Sequence, residues 1–257
     1  IPLNVLNIGT ADVVPLDILI GAGQWHQTQS LQAMFTNRML REGTSSMNSQ
    51  QIAETLDYYG AMMELSSSVN CGFITLYSLN KYFPQTLAVV ADILQHPTFP
   101  EKEMKVVLEM NKQRFLVNSC RVEMKGRKAL NRSLFGVNHP LGRYAEAEDY
   151  DRITVDKLES FYRQYYHSGN SSIYVSGKIT SEITHCIEEA LGNHEWGEIK
   201  EVLPIQPIAP QTTTEKRIIS PFTLLKLATK EANKASYSLG SITRIIVLWI
   251  LPKNEVN

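Results

Sequence analysis

No two of the six histidines, His26, His96, His139, His167, His185 and His194, stand four residues apart. The chain also lacks any H-E-x-x-H or C-x-x-C spacing. These absences exclude a zinc site laid out on one helical turn; a site assembled from distant residues stays open. Cysteine is scarce. Cys71, Cys120 and Cys186 are far apart and odd in number, which argues against a disulfide framework and for buried thiols in a reducing compartment, cytoplasmic rather than periplasmic. Net charge is scarce too: 25 basic residues against 26 acidic ones give −1, so there is no electrostatic case for nucleic acid or an anionic membrane surface as a partner. The one long apolar run, Ile245 to Leu251, is far short of the about 20 residues that span a bilayer. No signal peptide is visible, and a start at Ile1 leaves a removed leader open. Gly21-x-Gly23 has no third glycine and no following helix, so it is no phosphate cradle. Ser45-Ser46 and Ser66-Ser67-Ser68 have no base at a recognisable spacing, which removes the case for a nucleophilic serine.

What remains is a chain of 257 residues, 43% apolar, able to bury a sizeable core. Leu3 to Ile8 alternates, and Val14, Leu16, Ile18 and Ile20 recur every second residue, which predicts two strands of an opening hairpin. Ser30 to Arg41 has helical spacing and stops at Gly43; Asn48 caps a second helix, Ser49 to Tyr58. Ala61 to Ser68 and Cys71 to Leu79 read as antiparallel strands joined near Asn70. Helices follow over Phe83 to Gln95, from Pro100 onward, around Arg121 to Arg132, over Thr154 to Tyr166 and over Thr180 to Leu191, with a short strand at Ser172 to Ser176. Leu203 to Thr214 holds Pro204, Pro207 and Pro210 with three threonines, the composition of a linker. This order predicts an α+β fold, an antiparallel or mixed sheet with helices packed on one side. It also predicts a first domain over 1–202, a linker over 203–215 and the start of a second unit over 216–257.

The segment Met34-Phe35-Thr36-Asn37-Arg38-Met39-Leu40-Arg41-Glu42-Gly43-Thr44 resembles the zinc-binding helix of the pitrilysin/insulinase peptidases, the family that includes the mitochondrial processing peptidase. That helix typically reads H-F-L-E-H-M-x-F-x-G-T, and Phe35, Met39, Gly43 and Thr44 match it. The similarity continues through Gln51 to Ala61, Val106 to Glu109, Leu134 to Gly142 and Val175-Ser176-Gly177, and so spans roughly residues 3 to 220. By this resemblance Met34, Asn37 and Arg38 stand where two histidines would bind zinc and a glutamate would activate water. The third-ligand position falls on Met110, with Glu109 one residue before it. Thioether sulfur is a poor zinc ligand beside imidazole, an amide is no general base, and a guanidinium stays protonated and repels the cation.

The resemblance implies a processing-peptidase-like domain, no cofactor in this chain, and zinc only in an active partner. It implies a non-catalytic subunit that associates with a homologous active subunit, or with itself, and helps to hold a peptide substrate. In the family the strand matching Ala61 to Ser68 takes the substrate as an added strand, which makes Glu64, Leu65, Ser66 and Ser67 the peptide-binding candidates, set against a reading as an ordinary sheet strand. The alternatives are an active metal-dependent endopeptidase with an unrecognised site, and a structural core-type subunit. His139 in its Asn-His-Pro-Leu-Gly turn reads as a turn histidine, and Tyr162, Tyr165 and Tyr166 as a packed helix end. Ser236 to Asn257 matches nothing in the family pattern.

Overall fold

The computed structural model describes residues 1–192, 196–197, 216–220 and 223–226. In chain order these form β1 (Leu3–Asn7), β2 (Val13–Ile20), α1 (Gln32–Met39), α2 (Ser49–Tyr58), β3 (Met62–Ser67), β4 (Gly72–Leu79), α3 (Phe83–Gln95), α4 (Glu101–Ser119), α5 (Val122–Phe135), α6 (Asp149–Arg152), α7 (Val155–Tyr165), β5 (Ser171–Gly177), α8 (Ser181–Ile187), β6 (Lys216–Ser220) and β7 (Thr223–Lys226). The chain divides into two compact units, with breaks after Gln113 and Tyr144. The predicted linker over 203–215, the tail from Ser236 and the run Ile245 to Leu251 lie outside the described residues.

The first unit is built on a mixed five-stranded sheet in the order β1-β5-β2-β4-β3. β2 is its middle strand. Val14, Leu16, Ile18 and Ile20 are all fully buried, as a period of two requires when one face of a strand lies in a core. Leu16 faces Leu76 of β4 on one side and Val175 of β5 on the other; Ile18 likewise faces Ile74 and Ile173. Helices cover this face and bury Phe35, Met39, Phe83, Leu87, Val90, Leu158 and Phe161 against it. On the opposite face Val13, Tyr77, Leu79 and Tyr174 are exposed, so the helices lie on one side. Burying side chains of this size stabilises by about 1.5–3 kcal/mol each.

β1 and β2 are not a hairpin. β5 lies between them, parallel to β1 from Leu3↔Ile173 to Asn7↔Gly177 and antiparallel to β2. Alternation in the sequence marks a strand but not its partner, and a parallel partner needs a long crossover. The helix after Thr180 is also shorter than its apolar spacing predicts: α8 gives way to a wider π turn over Glu188–Gly192. α2 starts as expected. The Asn48 side chain accepts from Gln51 N at 2.9 Å, and the Gln51 side chain accepts from Asn48 N at 2.9 Å, a reciprocal cap that satisfies two otherwise orphaned donors.

The second unit holds α5, the loop after it, and the antiparallel pair β6–β7. His139 is buried in that loop. Its ring stacks on Phe135 at 5.0 Å, its Nδ1 accepts from Leu141 N at 3.1 Å, and its carbonyl accepts from Gly142 N and Arg143 N. Burial pushes its ionisation below the ordinary histidine range. The loop is thus wound around the imidazole.

In the first unit, residues 23–25 lie along the β3–β4 turn: Gly23 N donates to Asn70 O at 3.1 Å, Gln24 N to Ser68 O at 3.1 Å and Trp25 N to Val69 O at 2.8 Å. Gly23 has to be bare for this approach, because a methyl there would overlap the Val69 oxygen and the Asn70 carbonyl carbon. Gly23→Ala is therefore expected to lower the unfolding free energy by about 2–3 kcal/mol, as overpacking against backbone does, measured by urea denaturation. An unchanged midpoint would show that these segments do not hold one another.

Candidate functional site

α1 is buried on nearly all sides. Gln32, Ala33, Phe35, Thr36, Asn37 and Met39 are buried, and α1 packs on β3 and β4 on one flank and on α7 on the other. The Gln32 amide donates to Lys157 O at 2.8 Å, and its oxygen accepts from Thr28 N at 3.2 Å. Thr36 Oγ1 donates to Leu158 O at 3.5 Å. A helix held on two sides by a sheet and a second helix has its side-chain directions fixed. Met34 and Arg38, one turn apart, are the half-buried residues of its central turn.

Asn37 points at the sheet. Its Nδ2 donates to Phe73 O of β4 at 3.4 Å, and the side chain is 1% exposed. Beside it lies the fully buried Tyr166. Both converge on Gly72: a Cβ built there would stand 3.0 Å from Tyr166 Oη and 3.1 Å from Asn37 Nδ2. Burial pushes the Tyr166 hydroxyl far above the ordinary tyrosine range, and the Asn37 amide offsets only part of this. The other two tyrosines of this helix end are tied down as well: Tyr162 Oη donates to Leu94 O at 2.6 Å and Tyr165 Oη to His26 O at 3.3 Å.

Arg38 points at α4. Its Nη1 donates to Asn111 Oδ1, and Asn111 Nδ2 donates to Val107 O of its own helix at 2.6 Å. The α4 residue brought to the α1 face is thus Asn111. Met110 is 59% exposed, and Glu109 is exposed with its carboxylate accepting from Gln113 at 2.8 Å. The helical phase of α4 could have found Asn111, since it lies one turn beyond the buried Val107 and two turns beyond the buried Met104. Around the guanidinium, burial above all raises the pKa of Glu42; Arg41 beside it acts against this, Glu103 adds to the rise and Arg38 opposes it. Burial also raises the pKa of Tyr150, against the pull of Arg38. Tyr150 meets Phe35 of α1 edge to face at 5.8 Å, and Lys112 of α4 pairs with Asp151 at 2.6 Å, so α1, α4 and α6 converge here.

This set does not fit zinc. The thioether of Met34 is a weak donor, the Asn37 amide nitrogen is spent on a sheet carbonyl, and the guanidinium of Arg38 has five N–H donors and no lone pair to give. Among the described residues, no three His, Cys, Asp or Glu side chains come together at metal-binding distance. The group can donate hydrogen bonds to oxygen, but it offers neither a general base nor a Lewis acid.

β3 borders α1 and is the outer strand of the sheet. Asn80 N donates to Asp12 O, so the even-numbered backbone groups of β4 turn to β2 and the odd-numbered ones to β3. Ser68 N donates to Cys71 O at 2.8 Å in the same phase. The register Glu64↔Thr75 and Ser66↔Phe73 then commits the backbones of Met62, Glu64 and Ser66 to β4. Those of Met63, Leu65 and Ser67 face outward. Of the four candidates, Leu65 and Ser67 present edge backbone, while Glu64 and Ser66 present exposed side chains on the helix-free face.

Against this geometry stand the comparisons with known proteins. The sequence profile of the insulinase family (peptidase family M16) matches residues 5–141, and that of the peptidase M16 inactive domain matches residues 152–240. An uncharacterized zinc protease of Bacillus subtilis, YmxG, is 25% identical over 193 residues, covering 74% of this chain and 47% of the relative. Subunit alpha-1 of the mitochondrial-processing peptidase of Dictyostelium discoideum is 24% identical over 190 residues, covering 70% of this chain and 28% of its own length. The chain thus spans half or less of these curated relatives. A peptidase M16 inactive domain from Pseudomonas fluorescens superposes with a TM-score of 0.70 at 21% identity, over 81% of this chain and 52% of that one. At that identity the likeness establishes the fold alone.

The geometry predicts which α4 position completes a metal site. Met34→His, Asn37→Glu and Arg38→His combined with Asn111→Glu should bind one zinc per chain. The same triple change with Met110→Glu should bind roughly tenfold more weakly or worse, as lost ligation costs at least as much as a lost supporting contact. Zinc titration against a competing chelator reads the difference, and equal affinities would refute the placement of Asn111.

Proposed function

This chain belongs to the insulinase family of peptidases, M16, and on that premise we propose that it works as a non-catalytic subunit that helps a zinc-bearing homologue hold peptides. The observation that carries this reading is the hydrogen bond from Arg38 to Asn111, which joins α1 to α4 where the family resemblance places metal ligands. In a zinc site the cation draws the ligating side chains of two helices together. Here a permanent cation is part of the protein, and it is held by an amide.

A further fact supports the reading: one relative is by its name a subunit of a larger peptidase. The peptide-holding part is assigned to β3, whose outward-facing backbone at Met63, Leu65 and Ser67 can pair with an extended chain whatever its side chains. The partner is a homologous zinc-bearing subunit, the ligand is a peptide, and this chain carries no metal of its own.

Purified chain should contain zinc far below one equivalent and should copurify with a zinc-bearing homologue when the two are coexpressed. Removing this chain should cost the homologue most of its peptide hydrolysis. Full activity of the homologue alone, or stoichiometric zinc and chelator-sensitive hydrolysis by this chain alone, would overturn the proposal.

A further inference from the structure

The geometry points to Glu64 as the residue that sets the sequence preference of the β3 edge, selecting a lysine or arginine in an extended peptide at the position directly across from it. The inference rests on the peptide-holding role proposed above for β3 and goes beyond it by naming which side chain discriminates and for what.

The phase of the ladder does most of the work. An added strand bonds to the backbone of Met63, Leu65 and Ser67, because those groups face outward. Glu64 then occupies a non-bonded position of the new pair. In an antiparallel pair these are the positions where the Cα atoms approach to about 4.5 Å and opposed side chains come closest. Side chains along β3 also alternate. Met63, Leu65 and Ser67 share the face of the buried Leu76, Ile74 and Gly72, the helix side. Met62, Glu64 and Ser66 share the helix-free face and are exposed. The peptide residue opposite Glu64 therefore projects into solvent beside a carboxylate, where a long cationic side chain can reach without being desolvated.

Nothing on the inner side competes for that carboxylate. Its neighbour across β4 is Thr75, whose hydroxyl donates to Asp17 Oδ1 of β2 at 2.6 Å. Among the described residues no cation pairs with Glu64. Asp17 adds a second negative charge on the same face, two strand spacings or about 10 Å away. The edge is also bounded. Beyond Ser67 the chain's own residues 23–25 take the carbonyls of Ser68, Val69 and Asn70, so an added strand has room only along Met62–Ser67 and cannot slide past that end. A short edge with one charged position is a filter rather than a general adhesive surface.

The test uses the full chain and fluorescein-labelled nine-residue peptides of alternating threonine and valine, differing only in a central Lys, Gln or Glu, read by fluorescence anisotropy. The wild-type chain should bind the Lys peptide about fivefold more tightly than the Glu peptide, the scale of an exposed cross-strand pair against a like-charged one. The preference should vanish in Glu64→Gln, invert in Glu64→Lys, and shrink in 0.5 M sodium chloride. Leu65→Pro serves as the control for the edge itself: its N–H faces outward, so proline is tolerated in the fold while the added strand loses a donor. Equal affinity for all three peptides, or a preference unmoved by Glu64→Lys, overturns the role of Glu64 and leaves strand addition standing. Absence of binding by any peptide, or binding unaffected by Leu65→Pro, overturns the peptide-holding role of β3 and the inference with it.

Discussion

The burial of α1 between the sheet and α7 is the constraint on which the rest of the site depends. Phe35 and Met39 are fully withdrawn from water, and Leu40 follows in the 3-10 turn after the helix. The polar Gln32, Thr36 and Asn37 are buried only because each has a carbonyl to meet. An unmet buried amide or hydroxyl would cost about 1–3 kcal/mol, so these three bonds fix the rotation of the helix about its axis. Once that rotation is set, Asn37 has to face β4 and Arg38 has to face α4. The side chains of Met34 and Arg38 are thus aimed by packing that involves neither of them.

That separation bears on what the motif positions can hold. With Met34 and Arg38 in place the apolar seating of α1 is intact, and the Arg38–Asn111 bond joins α1 to α4. Charge-assisted hydrogen bonds are roughly twice as strong as neutral ones, so the guanidinium–amide bond from Arg38 to Asn111 is a reasonable mechanical substitute for a shared ligand. A half-buried arginine also needs negative charge nearby. Glu42, one turn along, supplies it at some cost: burial and Glu103 both resist its ionisation, while Arg41 and Arg38 favour it. Glu42 thus sits in a small charge network with Arg41, Glu103 and Arg38.

Much of this was legible in the residues. The row Val14, Leu16, Ile18 and Ile20 marks the middle strand, Asn48 marks the start of α2, and the matched Phe35, Met39, Gly43 and Thr44 place α1 and the turn after it. What could not be read was pairing across distance. Nothing local to Leu3–Asn7 says that its partner is Ile173 to Gly177 rather than the adjacent strand, because a parallel ladder is set by the whole crossover. The identity of the α4 residue facing Arg38 was recoverable in principle from the inward phase of Met104 and Val107, but motif spacing alone leaves a one-residue error, and one residue on a helix is a 100° rotation. The division of β3 into outward and inward backbone groups was hidden for a similar reason. Alternation gives side-chain faces, whereas hydrogen-bond phase appears only once Asn80 is seen bonded to Asp12 and Ser68 to Cys71.

The β3 edge and the motif positions therefore rest on different parts of this fold. Hydrolysis in the family depends on a few side chains on α1 and α4, and each can be lost to a single substitution. The β3 edge depends instead on main-chain groups whose direction is fixed by the β3–β4 register, by the Asn37 bond to Phe73, and by the close approach of Gly23 to the turn. None of those contacts involves a metal ligand, and the Gly72 backbone stays bare so that Asn37 and Tyr166 can reach it. A substitution that removes zinc leaves the edge in place, whereas one that shifts the register by a single residue would exchange the bonded and free groups along the whole strand. A chain with Met34, Asn37 and Arg38 in the motif can thus keep the β3 edge intact, with Glu64 exposed on its helix-free face.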